Sequence, residues 1–205
     1  MSSGRLSQRL WTDLPVTFQS WKSCYGSLLS LSGPEPHSSP LSSCEPLARI
    51  HDVGSFDCGV HASLSNWLKH FAWTNQQNET SRTYVVHRAG RVVGYYSIAT
   101  GSTSREEAPV RVTKGLANHP VPIILLTRLA VDKTEQGTGL GRAMLKDALV
   151  RIAGAADIVG ARAALVHAID AHAATFYRRF DFVPCPGNDL HLMLLMKDLR
   201  MGLRS

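Results

Sequence analysis

Apolar positions along the chain change period several times, and each change marks an element. Between Ser63 and Asn78, Leu64, Trp67, Leu68 and Phe71 fall at i, i+3, i+4 and i+7, which predicts an amphipathic helix. Ser81–Arg88 and Arg91–Thr100 are rich in β-branched and aromatic residues around Ala89-Gly90, the pattern of a hairpin. A polar loop follows through 102–119. Pro122–Val131 (PIILLTRLAV) is nearly continuous in apolar residues, as expected of a strand buried on both faces. From Leu140 to Ala153 the period returns to a helix: Leu140, Met144 and Ala148 form one row and Leu145, Leu149 and Ile152 the next. Arg142, Lys146 and Arg151 then face outward, with Asp147 four residues before Arg151 and able to pair with it. Arg162–Ile169 reads as a strand, Asp170 as the cap of a helix over Ala171–Arg179, and Leu190–Lys197 as a closing strand. The order implies one α/β sandwich with a mixed sheet, its second half built of consecutive crossover units.

Residues 1–46 lack this periodicity. Serine and proline are dense (SLLSLSGPEPHSSPLSSCEP), the mark of a disordered extension or of chain upstream of the true start. The expected organisation is therefore an extension over 1–46, a folded domain over 47–200 and a tail over 201–205. At 205 residues the chain suits one core rather than two. No stretch reaches the ~20 apolar residues of a membrane helix. Cys24, Cys44, Cys58 and Cys185 are scattered, without a C-x-x-C pair, which argues for free thiols in a reducing compartment, the cytoplasm. His167 and His172 are five apart across a strand–helix junction, a spacing unlike a zinc helix, and no metal is expected. The net charge of +6 permits an anionic partner.

Chemistry concentrates at Gln136-Gly-Thr-Gly-Leu-Gly-Arg142, between the buried strand and the helix. Counting from Gly137, the sixth position is arginine, so a dinucleotide fingerprint fails, and a Walker lysine is absent as well. Glycine allows positive φ and close approach of a ligand. The first helical amides then converge with the helix dipole behind them, a seat for a pyrophosphate. A strand-to-helix turn that binds nothing fits the bare pattern equally.

Context adds to this. Gln136, Gly139 and Gly141 match Gln/Arg-x-x-Gly-x-Gly/Ala, and Ala173-Ala-Thr-Phe-Tyr-Arg-Arg-Phe-Asp-Phe182 is similar to A-x-x-F-Y-x-x-x-G-F. Both resemble the GNAT superfamily of acetyl-CoA-dependent N-acetyltransferases. The blocks Phe56-Asp-Cys-Gly59, Asn66-Trp-Leu68, Asn75-Gln76, Ser81-Arg-Thr83, Arg105–Pro109, Arg128–Asp132 and Val166–Asp170 narrow the resemblance. They are similar to the GNAT toxins of type II toxin–antitoxin modules, over roughly residues 45–200. Two positions depart from that pattern: Thr138 stands where arginine is usual, and Asp181 where glycine is usual, a site Asp tolerates if it needs left-handed backbone.

The resemblance implies a GNAT fold, α/β with a mixed, mostly antiparallel sheet flanked by helices, and acetyl-CoA at the strand–loop–helix junction. It places the pantetheine arm along Leu129, Ala130 and Val131 and the pyrophosphate on Gln136, Gly137, Thr138, Gly139, Leu140, Gly141 and Arg142. Tyr177 takes the place of the catalytic tyrosine, a general acid near the thioester sulfur; without the family it reads as a core residue. The implied reaction acetylates the α-amine of aminoacyl-tRNA and blocks translation. That amine is more acidic than a lysine's because the ester withdraws electrons, so no strong base is required. Arg82, Arg88, Arg91, Lys146, Arg178 and Arg179 are candidate contacts to tRNA phosphates. Implied partners are a ribbon-helix-helix antitoxin, a second copy in a homodimer, and operator DNA reached only through the antitoxin, with no membrane. Two rival readings use the same fold: acetylation of a protein or small-molecule amine, and an inactive acetyl-CoA-binding module in a repressor complex.

Overall fold

A computed structural model describes residues 39–204. A seven-stranded sheet runs in the order β1-β2-β3-β4-β5-β7-β6, with strands β1 (Glu45–Pro46), β2 (Arg82–Arg88), β3 (Arg91–Thr103), β4 (Val121–Val131), β5 (Ala163–His167), β6 (Val183–Cys185) and β7 (Asn188–Leu195). Among these seven strands only β4 and β5 pair in parallel. The expected run of consecutive crossovers is thus corrected to one, through helix α4 (Leu140–Val159), because β5 meets β7 antiparallel. The hairpin closes where predicted, and both Ala89 (φ 46) and Gly90 (φ 88) take the positive φ of a tight turn.

Helices α1 (Ala62–His70) and α2 (Ala72–Gln77) replace the single helix expected over 63–78, since Phe71 at φ −120 breaks the run. They cover one sheet face through Leu68, Ala72, Val85, Val92 and Tyr95. Helix α4 covers the other, burying all six residues of its two predicted rows. Helix α5 (Ala171–Arg178) begins at Asp170, whose carboxylate accepts from the Ala173 amide at 2.7 Å. Asp181 adopts φ 63, so the position does need the left-handed backbone that Asp tolerates.

Five features lie outside the sequence reading. The short helix α3 (Val110–Thr113) interrupts the polar loop, and β6 pairs with β7. Residues 196–204 form helix α6 (Met196–Arg204), where a strand end and a tail were expected; Met196 and Leu199 are buried and hold it on the core. The end of the expected N-terminal extension is built into the sheet: Glu45 and Pro46 pair with β2, and Leu41 bridges to Arg88. The rest of that extension, residues 1–38, lies outside the described residues. Arg151 does not face open solvent. It pairs with Asp147 at 2.8 Å, covers the Tyr84 ring at 4.2 Å and donates to the Cys44 carbonyl at 3.1 Å.

Candidate active site

The site begins with a local defect in the sheet. Ser97 faces Arg128 and Ile98 faces Leu126, which leaves Thr127 bulged from β4. At the same level β4 and β5 part: their last pair is Leu126 with Val166. From Thr127 to Val131 the β5-facing edge of β4 is therefore no longer matched by β5. Extended backbone in such a cleft offers amides and carbonyls to a linear ligand.

Below the cleft lies the glycine loop. Gly137 (φ 79) and Gly139 (φ 91) both require positive φ, and Gly139 caps α4 with no side-chain hydrogen bond. The first turn of α4 carries no acidic residue, so its convergent amides present positive potential. Gly141 sits in the helix, where a Cβ would meet Val131 Cγ2 at an ordinary 3.5 Å. Thr138 is exposed and its hydroxyl donates to the Glu135 carbonyl at 2.7 Å, fixing the turn from within. Gln136 donates to the carbonyls of Cys58 and Val131, both at 3.0 Å. The predicted cofactor-binding residues are thus brought together at one junction, with Leu129, Ala130 and Val131 above Gln136–Arg142. Cβ-free turns, an uncapped helix start and a splayed strand edge fit an acyl-CoA with its pyrophosphate.

The surrounding frame is held by buried charge. Asp132 is fully buried and accepts from the Asp57 amide at 2.9 Å, the Thr134 amide at 3.0 Å and the Thr134 hydroxyl at 2.7 Å, with Arg91 at 3.5 Å. Burial pushes its carboxyl upward, yet these donors outweigh burial and hold it below the usual range. Glu135 receives Arg88 at 2.8 and 3.2 Å. The loop before α1 is tied to both sides of the cleft, through Asp57 and Cys58 to the β4 side and through His61 to Asp170 at 3.2 Å.

Tyr177 faces the core from α5, 7% exposed, with Phe176 and Phe182 at ring distances of 5.3 and 5.6 Å. Burial raises its hydroxyl well above the ordinary tyrosine range, so it stays protonated at any working pH. His167, at the end of β5, stacks on His191 at 3.9 Å; burial and then that neighbour lower its pKa.

The six basic residues expected to contact RNA do not form one patch. Arg82 and Arg88 stand at opposite ends of β2, roughly 20 Å apart at the rise of a strand. Arg88 is bound to Glu135 and Arg91 to Asp132 and Ser55, so both act inside the frame. Arg82, Arg178 and Arg179 are exposed, the first two 3.6 and 3.9 Å from Glu79 and Asp189. Lys146 lies part-exposed on α4. Sequence reasoning assigned no role to Arg128, although a lone cation inside PIILLTRLAV is itself a signal.

One further group of ligand-type atoms is Glu45, His51 and His87, within 4.8 Å of one another. The Nδ1 of His51 accepts from the Ala48 amide and that of His87 from the Gly90 amide, so each Nε2 carries the proton and donates to Glu45. Occupied lone pairs make this a hydrogen-bonded knot rather than a metal centre. The cysteines Cys44, Cys58 and Cys185 are free, and among the described residues no helix is long and apolar enough to cross a membrane.

Comparison with known proteins agrees with this geometry. Residues 79–184 match the family model described as an acetyltransferase (GNAT) domain. A tRNA-acetylating toxin of Mycobacterium tuberculosis is 50% identical over 149 residues, covering 73% of this chain and 89% of the relative. The structure of AtaT complexed with acetyl-methionyl-tRNAfMet superposes with TM-score 0.73 at 27% identity, over 79% of this chain and 98% of that one. A tyrosine-to-phenylalanine mutant of the toxin AtaT, bound to the C-terminus of the antitoxin AtaR and acetyl-CoA, matches with TM-score 0.69 at 26% identity, over 80% and 99%. The family match and the 50% identical relative agree on one family, and the chain belongs to the GNAT acetyltransferases.

Proposed function

We propose that this chain moves the acetyl group of acetyl-CoA to the α-amine of aminoacyl-tRNA and thereby blocks translation, as the toxin of a toxin–antitoxin pair. The observation that carries this is its 50% identity to a tRNA-acetylating toxin over 149 residues. The AtaT complex with acetyl-methionyl-tRNA supports the same substrate class. The cytoplasm, where charged tRNA is found, is the compartment for this activity. An antitoxin partner follows from the AtaT–AtaR likeness, and a homodimer and antitoxin-mediated operator binding complete the reading.

Acetyl-CoA, when bound, supplies the acyl group as a thioester. In this reading the amides of Leu129–Val131 line the pantetheine arm and polarise the carbonyl under attack. The turns at Gly137 and Gly139 and the first amides of α4, with Arg142, receive the pyrophosphate. Tyr177 holds a proton for the departing sulfur. Its raised pKa makes it a weak acid, so its effect comes from position and from the dry surroundings of the ring. The amine arrives uncharged from solution, which agrees with a cleft framed by carboxylates already bound to other groups.

Purified protein is incubated with radiolabelled acetyl-CoA and charged total tRNA. Label in tRNA that is released by mild base, and is lost in Tyr177→Phe, is the expected result. Label confined to protein or free amines favours the rival acetyltransferase reading and overturns this one.

A further inference from the structure

On the sheet face that carries α1 and α2, a cavity of about 230 Å³ opens beside β4. Trp67, Asn75, Thr80, Ser81, Thr127 and Arg128 line it, an aromatic edge with three hydroxyls, one carboxamide and one cation. No carboxylate is among them.

Two features of this lining are unusual. The Ser81 hydroxyl is buried, in a residue only 8% exposed, and has no hydrogen-bond partner among the described residues. Folded proteins rarely leave such a group unmet. Among the described residues Arg128 also has no acid paired with it. Its guanidinium lies 5.1 Å over the Trp67 ring and donates to its own neighbour's carbonyl, that of Thr127, at 2.9 Å. Trp67 is in turn stacked on Tyr95 at 5.8 Å, whose hydroxyl donates to the Leu64 carbonyl. An aromatic platform thus holds this cation, whereas Arg88 and Arg91 are each paired with a carboxylate.

The location gives these features a purpose. Thr127 is the bulged residue where β4 leaves β5, and Arg128 immediately precedes the Leu129–Val131 edge. The cavity therefore adjoins the point of acetyl transfer, on the sheet face opposite α4. Guanidinium, hydroxyls and carboxamide together suit a sugar phosphate. An aminoacyl side chain of apolar type would call for an apolar lining.

We propose that this cavity seats the phosphoribosyl group of the acceptor RNA's terminal nucleotide, with Arg128 on the phosphate and Ser81 meeting an oxygen of the ribose phosphate. The assignment rests on the aminoacyl-tRNA reading above. Anchored here, the esterified amino acid reaches the end of β4, and Arg128 is a positioning residue that holds the acceptor strand.

The test is a titration of the ¹H–¹⁵N spectrum of the full chain, saturated with CoA so that the adenine end of that ligand's own site is filled. AMP is expected to shift the Trp67 indole and Arg128 signals, and adenosine to shift them far less. Arg128→Ala is expected to weaken AMP about tenfold or more, the worth of one charge-assisted hydrogen bond, and Arg128→Lys to restore part of it. In acetylation assays Arg128→Ala and Ser81→Ala raise KM for aminoacyl-tRNA and leave KM for acetyl-CoA unchanged. Absence of AMP-induced shifts at the cavity overturns the proposal. So do equal shifts from AMP and adenosine, shifts produced instead by free amino-acid amides, or a KM change for acetyl-CoA alone. If the wild type acetylates no tRNA, the functional reading fails by itself, while the AMP titration still decides what the cavity binds.

Discussion

The two sides of the cleft differ in how their polar groups are met. On the glycine-loop side Asp132 has three hydrogen-bond donors and a cation, Glu135 holds Arg88, and Gln136 and Thr138 both donate to backbone carbonyls. On the α1–α2 side Ser81 is buried without a partner among the described residues, and Arg128 rests on an aromatic ring. On the first side both carboxylates are matched before any ligand arrives, and it offers mainly backbone, as suits a nucleotide that every turnover shares. The second side is left to be completed by its ligand. A frame with every charge matched keeps its shape, whereas an unmatched lining gains most from a polar guest.

The largest expected effect sharpens the chemistry between the two sides. Tyr177→Phe removes the hydroxyl but keeps the ring against Phe176 and Phe182, so kcat is expected to fall by roughly 10²–10⁴ with little change in melting temperature. Steady-state kinetics beside a thermal melt checks both halves of that statement.

Next in size is the frame. Asp132→Asn removes a buried charge that three donors and Arg91 address, and is expected to lower stability by about 2–3 kcal/mol in denaturant melts. Because the folded pKa of Asp132 lies below its unfolded value of about 3.9, its contribution is full above that pH. It fades as pH falls through the folded pKa, so the gap between wild type and variant should narrow on acidification below about pH 4. A gap that widens there contradicts the assigned role.

Smaller effects separate the glycines. Gly139→Ala forces a side chain into φ 91 and is expected to cost about 1–2 kcal/mol and to raise KM for acetyl-CoA, with KM for aminoacyl-tRNA unchanged. Gly141→Ala, at a helical position with an ordinary 3.5 Å neighbour, is expected to leave the melting temperature unchanged or slightly higher. Equal destabilisation by both would show that positive φ is not what the loop requires.

The smallest concerns Thr138. Its hydroxyl bond to Glu135 is worth about 0.5–1.5 kcal/mol, which Thr138→Ala should forfeit. Thr138→Arg adds a cation beside the pyrophosphate seat, and a few-fold drop in KM for acetyl-CoA is its expected outcome, read by saturation kinetics.

These contrasts also mark what the sequence could and could not reveal. The apolar rows of α4, the Asp170 cap and the Ala89-Gly90 turn were legible because period and turn chemistry act locally. The positive-φ turn at Gly137 and Gly139 between β4 and α4 was legible through the family pattern. The break at Phe71 and the helix at 196–204 were not, since packing against the core decides them. Nor was the commitment of Arg88 and Arg91 to Glu135 and Asp132, partners more than 40 residues away in sequence. Arg128 was visible as a cation in an apolar strand, but its ring platform comes from α1, on the far side of the hairpin.

The central claim is that the acetyl group lands on the α-amine of the amino acid carried by tRNA. The most direct measurement is mass spectrometry of ribonuclease-digested aminoacyl-tRNA after reaction with acetyl-CoA. The aminoacyl-adenosine fragment is expected to gain the mass of one acetyl group, at the amine, with wild-type protein and not with Tyr177→Phe. An unmodified aminoacyl-adenosine alongside acetyl groups on protein or free amines would contradict the account.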